Sequence, residues 1–548
     1  MKCIFEFGNF FFSNLETGEV KTISPIEEKR IINIFNILSI IKNSNIFYFF
    51  LLLALSYSND LKSYVNLDSI IHQKKRIEFE VEFLNRNYWI ESNIKEILLI
   101  RDYETGKDIK WDFTIFNKNL QNHFKMEIEI DRSYTLLKKK SENNNFNILF
   151  KKEYSNEKEY MLIKINSDSS KILKYEIKLP INSKIIDFIT YDNLIIFSSS
   201  NKKKENLLNI YNIRNKRFIN LYASLKINEK VISIKKINET IFEIIVLSED
   251  LDKSNFLSKR IFDLNGNEIN RIQVSIKNRS LISGNFYTIN SNKIIGVGLY
   301  GKKNSNDAIG IYISSFFDNK LEYLKKYNFF QLPNFYKNDE KYLKKNILKK
   351  IEKKDFDKIK LDDNFFPNEL IKIDNNLVFS AESILLNYNN NNNYTYIPYY
   401  NTYAGTYDKM INPNFKGYDH TKFLITSFNL NGEVNWNESF KINDLNTFEE
   451  APYFKSLFYK NNILTFYINN GFFKYILINE KNEIKTIPII TKYKDDKIKE
   501  TETNPEATKL WYNNNYYTYG IQKIKNTVKG DLKVNRRVFF ICNFEIVK

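Results

Sequence analysis

The chain has 548 residues and a mass of 65.5 kDa, with hydrophobic residues at 43% and aromatics at 16%. That is enough apolar material for a large core and excludes global disorder, while only 15 glycines and 9 prolines exclude collagen-like and Pro/Gly-rich classes. The formal charge of +17 comes from lysine, which supplies 70 of the 82 basic residues; base readers and bidentate phosphate sites favour arginine, so a genome-wide base bias explains the charge and no specific nucleic-acid binding is expected.

From the amino terminus, Ile46 to Leu55 is an uncharged run, IFYFFLLLAL, after Lys42 and before Ser56, Tyr57 and Ser58. This is the layout of a secretory signal, with some forty residues ahead of it where a signal has few. The expectation is export with cleavage near Ser56 to Ser58, to the periplasm, the outer membrane or the exterior. The alternative is an uncleaved membrane anchor over residues 31–57, which would place Lys42 and its polar neighbours in the bilayer. Only Cys3 and Cys542 are present, so a disulfide framework and a Cys-based zinc site are excluded. His72, His123 and His420 lie too far apart for a spaced metal motif, and neither metal nor cofactor is expected.

Beyond Asn59 the text is strand-like: short β-branched and aromatic runs broken by Asn, Asp, Ser and Lys. One hairpin recurs at Tyr160, Leu207, Ser258, Ile311, Lys422 and Phe472; another precedes each copy, with turns near Asn193, Asn238, Ser291, Asn375, Asn461 and Asn514, and a weaker copy sits at Asn144. Two hairpins every fifty residues or so make a four-stranded unit, and such repeats are propeller blades. The expected fold is therefore all-β, a propeller of about seven four-stranded blades. The last repeat lacks its outer strand, which RIEFEVEF from Arg76 or DIKWDFTIF from Asp108 can supply, closing the ring. If the amino-terminal pair of hairpins is instead a whole blade, the count is eight.

This divides the chain into an extension over 1–58 containing the apolar segment 46–55, amino-terminal strands over 59–125, and a propeller over 126–548. Two long steps between repeats mark insertions, a Lys-rich stretch at 336–363 with apolar residues at helical spacing and a second at 388–421. Insertions in repeat arrays gather on one face, often the binding face. Asparagine is read as glycine's substitute in the turns, with Asn193, Asn375, Asn376, Asn461 and Asn462 at positions of positive φ.

The repeat text, particularly FDLNGNEINRIQV and TSFNLNGEVNWNESF, resembles that of exported propeller-like proteins of AT-rich Bacteroidetes, over roughly 126–547. The shared motif is an Asn-Gly hairpin and a tryptophan such as Trp436 between sheets. The resemblance implies a fold and carries no catalytic residue.

No phosphate loop and no nucleophile elbow is present, and DLNGNE at 263–268 reads as a turn, lacking the ligands of a calcium loop. No catalytic residue is assigned. The most distinctive stretch runs from Asn387 to His420; its Tyr394, Tyr396, Tyr399, Tyr400, Tyr403 and Tyr407 are the candidate binding residues, because tyrosine presents an apolar ring and a polar tip at low entropic cost. The functional expectation is a non-enzymatic interaction module of the cell envelope, partnered by another envelope protein or a glycan and associated with the membrane through its apolar segment. The alternative is a carbohydrate-active hydrolase or lyase using carboxylates at the channel mouth.

Overall fold

Outer strands such as Asn122–Asp131 alternate exposed and covered residues, whereas Lys293–Lys302 and Ala308–Phe317 are almost continuously buried. The first pattern is a sheet with one wet face, the second a strand covered on both faces, so the sheets stack against one another. The computed structural model describes residues 70–547 except for short internal stretches, the longest being 337–344, 389–399, 408–414 and 527–534. The extension 1–58 and the insertion residues Tyr394, Tyr396, Tyr399 and Tyr403 lie outside the described residues.

Residues 71–548 form one unit of eight four-stranded antiparallel blades, at 85–131, 134–179, 184–220, 229–274, 279–328, 364–441, 455–488 and 496–546. Their order in the ring follows the chain. First strands of neighbouring blades lie side by side, so they line the axis, and the fourth strands face outward. The count of eight corrects the expectation of seven in favour of its alternative. The hairpins counted in the sequence are the second to eighth blades; residues 85–131 hold a complete further meander, with Trp111 and Phe113 in the core between it and the second blade.

The ring is sealed by Ile71–Glu80, which pairs antiparallel with Asn535–Ile546 from Ile71 opposite Ile546 to Glu80 opposite Val538. Buried charge reinforces the seam. Arg536 donates to both Asp496 oxygens at 2.6 Å and to Glu78 at 2.9 Å, while Arg76 donates to Glu78 at 2.6 Å and to Gln522 at 2.7 Å. These residues come from both ends of the chain. Cys542 lies in the same blade, fully buried, and burial pushes its thiol up to about 11.

The turns use asparagine differently from the expectation. At the turns around Asn375 and Asn461 positive φ falls on Asp374 (48°) and Lys460 (42°), not on Asn375, Asn376 or Asn462, and Asn461 lies outside the described residues. Asn193 is not left-handed either, whereas Asn143, Asn278, Asn304, Asn319 and Asn513 are. The commoner device is a side-chain acceptor: Asn238 accepts from the Thr240 and Ile241 N–H groups, Asn290 from Asn292 and Lys293, and Asn429 from Asn431 and Glu433. At Asn238 and Asn290 the Asx turn closes the chain without glycine, whereas the Asn429 turn also uses Gly432 at φ 77°. Asp263 does the same for Asn265 and Asn267, which makes DLNGNE a turn.

One glycine is required by close approach. In the fifth blade the inner strand is broken into Arg279–Leu281 and Asn285–Thr288, and the backbone between them presses on Gly298. A Cβ there would collide with the Ser283 carbonyl oxygen and the Gly284 Cα. Gly298→Ala is expected to cost about 2–3 kcal/mol through overpacking, read as a lower urea midpoint at unchanged slope.

Strand direction alternates within each blade, so the connection between second and third strands leaves the same end of the ring as the connection to the next blade. Both insertions therefore emerge on one face: residues 329–363 join the fifth blade to the sixth, and 389–414 join the second and third strands of the sixth. The helical spacing read in the first yields the helix Lys345–Glu352, whose Ile347 and Ile351 rest on a cluster containing Phe329, Phe330 and Phe335. Among the described residues no helix is long and apolar enough to cross a membrane.

Candidate binding site

The second insertion grows out of the sheet itself. In the sixth blade the second strand, Asn376–Tyr388, and the third, Phe415–Asn429, are the longest of their kind and stay paired out to Tyr388 opposite Phe415. The hairpin thus extends past its blade on the insertion-bearing face. At its end Leu386 is 45% and Tyr388 46% exposed. The Phe415 ring lies 5.6 Å from that of Tyr388 and 5.1 Å, edge-on, from that of Tyr418. Burial, aided by the nearby charge of Glu450, holds the Tyr418 hydroxyl above its usual range, so it remains a neutral donor.

Two layers of side-chain hydrogen bonds fix this projection. Nearest the tip, Asp419 accepts from Asn387 and from Asn446, each at 2.7 Å, the latter on the short strand Asn446–Thr447 that pairs with Tyr418 and Asp419. Gly417, at φ +121°, permits the approach, since a Cβ would meet the Thr447 carbonyl oxygen at 2.6 Å. At the root, Glu382 and His420 are fully buried and joined through Nδ1 at 2.9 Å; the other ring nitrogen lies 3.1 Å from the Thr447 hydroxyl. Glu382 also accepts from Asn368 at 2.9 Å and from the N–H groups of Tyr453 at 2.9 Å and Phe454 at 2.7 Å. One carboxylate therefore ties the hairpin to the inner strand of its own blade and to the segment entering the next.

Of the six tyrosines predicted from sequence, only Tyr400 and Tyr407 fall within the described backbone, where Tyr400–Asn401 and Thr406–Tyr407 form a small two-stranded ladder. Sequence reasoning missed Leu386, Phe415 and the Glu382–His420–Thr447 relay. His420 read as an isolated histidine because its partners stand 38 and 27 positions away. Trp436, read as lying between sheets, packs against the apolar cluster shared by the sixth and seventh blades.

The first insertion braces the same blade. Asn334 donates to the Asn437 carbonyl and to Glu438, both at 2.9 Å, and the Lys422 ammonium lies 4.6 Å from the centre of the Phe335 ring.

On the axial side, Glu369 sits at a β-bulge of the sixth blade's inner strand, a device that re-aims side chains. Its carboxyl accepts from the Ser456 N–H at 3.2 Å and lies 3.9 Å from the Lys455 ammonium. Burial raises its carboxyl above the ordinary range even though a third of the side chain still meets solvent. Among the described residues no group of three His, Cys, Asp or Glu side chains could hold a metal ion.

No family model and no curated relative matches the sequence. Solved structures similar to the chain include one of a pair of prolyl endopeptidases (7% identity, 81% of this chain and 54% of that one, TM-score 0.36). Others are the polysaccharide lyase Uly1 (10%, 74% and 89%, 0.37) and the dihydro-heme d1 dehydrogenase NirN in complex with DHE (10%, 85% and 79%, 0.37). The chain spans about half the length of the prolyl endopeptidase.

Proposed function

We propose that the protein is a non-enzymatic binding module of the cell envelope, exported, and that the face carrying both insertions docks a glycan or the surface of another envelope protein. The observation that carries this reading is the sixth-blade hairpin, which projects Leu386, Tyr388, Phe415 and Tyr418 beyond the sheet and is locked by buried hydrogen bonds at its root. A preorganised aromatic surface loses little entropy on binding. The test compares the wild-type protein with a variant in which 389–414 is replaced by Asn-Gly and Tyr388 by serine, on immobilised envelope polysaccharides and purified envelope fractions. The expected result is loss of retention in the variant at an unchanged melting temperature; retention by both proteins alike would move the binding site elsewhere.

Glu369 favours a second reading, a carbohydrate-active enzyme, because a carboxyl raised by burial is suited to general acid work. Release of new reducing ends or unsaturated products from a glycan panel, abolished by Glu369→Gln, would make this the better reading.

A further inference from the structure

A cavity of about 540 Å³ opens between the inner strands of the first and second blades, lined by Trp89, Glu91, the run from Leu136 to Ser141, and Lys509 of the eighth blade. That volume is in the range of small-ligand pockets. Its wall is strongly cationic: Lys138, Lys139 and Lys140 are consecutive on one inner strand.

Strand alternation and a bulge at Leu137 distribute them. Lys138 and Lys140 reach Asp187 of the third blade at 3.3 and 2.9 Å, so two ammonium groups share one carboxylate. On the other side, Lys509 stands 3.9 Å from Glu91, whose carboxylate already accepts from the Ser92 N–H at 3.2 Å and from the Ser141 hydroxyl at 3.4 Å. The described lining holds four lysines and one carboxylate, so it is cationic in composition. The excess continues along the axis, where Lys184, Lys230 and Lys235 are exposed on the inner strands of the third and fourth blades.

An aromatic surface accompanies the charge. Trp89 stacks on Trp111 at 5.3 Å and 22°, and Trp111 meets Phe150 edge-on at 4.7 Å, so the indole lining the cavity is held from behind. A flat ring suits the apolar face of a sugar, and ammonium groups suit its anionic substituents. The described lining offers lysine, a point charge, and not the arginine fork used in phosphate and base recognition.

We infer that this cavity is a binding site for an acidic oligosaccharide, a chain of sugars bearing carboxylate or sulfate groups, with Trp89 as the stacking surface and Lys139 and Lys509 as the charged contacts.

The test uses the full chain and tryptophan fluorescence titration with hexagalacturonate, a chondroitin sulfate hexasaccharide, maltohexaose and a short single-stranded DNA. At least one acidic hexasaccharide is expected to bind, with affinity falling about tenfold as salt rises from about 50 to 300 mM, and maltohexaose is expected not to bind. The Lys139→Gln/Lys509→Gln variant leaves the Lys138–Asp187–Lys140 cluster in place and should bind about tenfold more weakly at an unchanged melting temperature. The variant lacking 389–414 should bind as wild type, which separates this site from the insertion-bearing face. The inference is overturned if neither acidic hexasaccharide binds at millimolar concentration, if maltohexaose binds equally well, if the double variant binds as wild type, or if the DNA binds more tightly than both acidic sugars. Should the double variant melt early, Trp89→Phe replaces it, with a weakened acidic-sugar affinity expected and an unchanged one counting against the site.

Discussion

Replacing Arg536 by methionine is expected to cost about 3–5 kcal/mol and to loosen the ring at its seam. The guanidinium is 6% exposed and is bonded to Asp496 and Glu78, which are 0% and 5% exposed; removing it strands the Asp496 carboxylate where water cannot solvate it and leaves Glu78 with Arg76 as its remaining cation. Glu78 lies on the strand from the amino-terminal side and Arg536 on the last strand, so the lost Arg536–Glu78 bond is one of those that join the two ends, beside the Arg76–Gln522 bond and the backbone ladder. Burial alone would raise the Asp496 carboxyl, but hydrogen bonds from Arg536, Asn526 and the Tyr493 N–H hold it below its ordinary value. A carboxylate depressed in the folded state stabilises above its unfolded pKa of about 4, and that contribution is lost as pH falls through the folded value. The gap in urea midpoint between wild type and Arg536→Met should therefore be widest near neutrality and shrink in acid. Cys542, buried in this blade, supplies a local probe: in a Cys3→Ser background its labelling by a thiol reagent should be slow in the wild type and faster in Arg536→Met. An unchanged midpoint together with unchanged labelling would mean that the backbone ladder alone seals the ring.

The architecture was legible because blade text repeats. Each blade must bury two central strands against its neighbours, so apolar runs recur at a step set by four strands and their turns, and the missing outer strand of the last repeat left two candidates, from Arg76 and from Asp108, of which the structure pairs the first with the last strand. The number of blades was harder to read. The first blade begins NRNYWIES, turns at 118–121 and holds no Asn-Gly pair, so its outline is weak although its core is complete. Turn geometry was misread at Asn193 and Asn375 because a left-handed residue and an Asx acceptor both favour asparagine, and sequence alone does not tell which role a given one plays. The hairpin's root was illegible for a different reason: Glu382, His420, Thr447 and Tyr453 converge from four segments, and no local spacing encodes that meeting.

That root supports the second large effect, an expected loss of about 4 kcal/mol for Glu382→Leu. Leucine approximates the side chain's volume and removes every acceptor. The N–H groups of Tyr453 and Phe454 and the Asn368 amide then lose their carboxylate partner, and unsatisfied buried donors cost about 1–3 kcal/mol each before relaxation. With Nδ1–H donating to Glu382, the His420 Nε2 is placed to accept from the Thr447 hydroxyl, so the same change releases the short strand that braces the projection. Thr447→Val removes that last bond while leaving Glu382 in place, and should cost about 1 kcal/mol. Hydrogen exchange distinguishes local loosening from a general loss of stability: in Glu382→Leu the amides of 384–388 and 415–420 should lose protection well before those of Lys293–Lys302 in the fifth blade. If the hairpin were held only by its backbone ladder, both groups would lose protection in parallel, and the polar relay would have no part in orienting Tyr388 and Phe415 for binding.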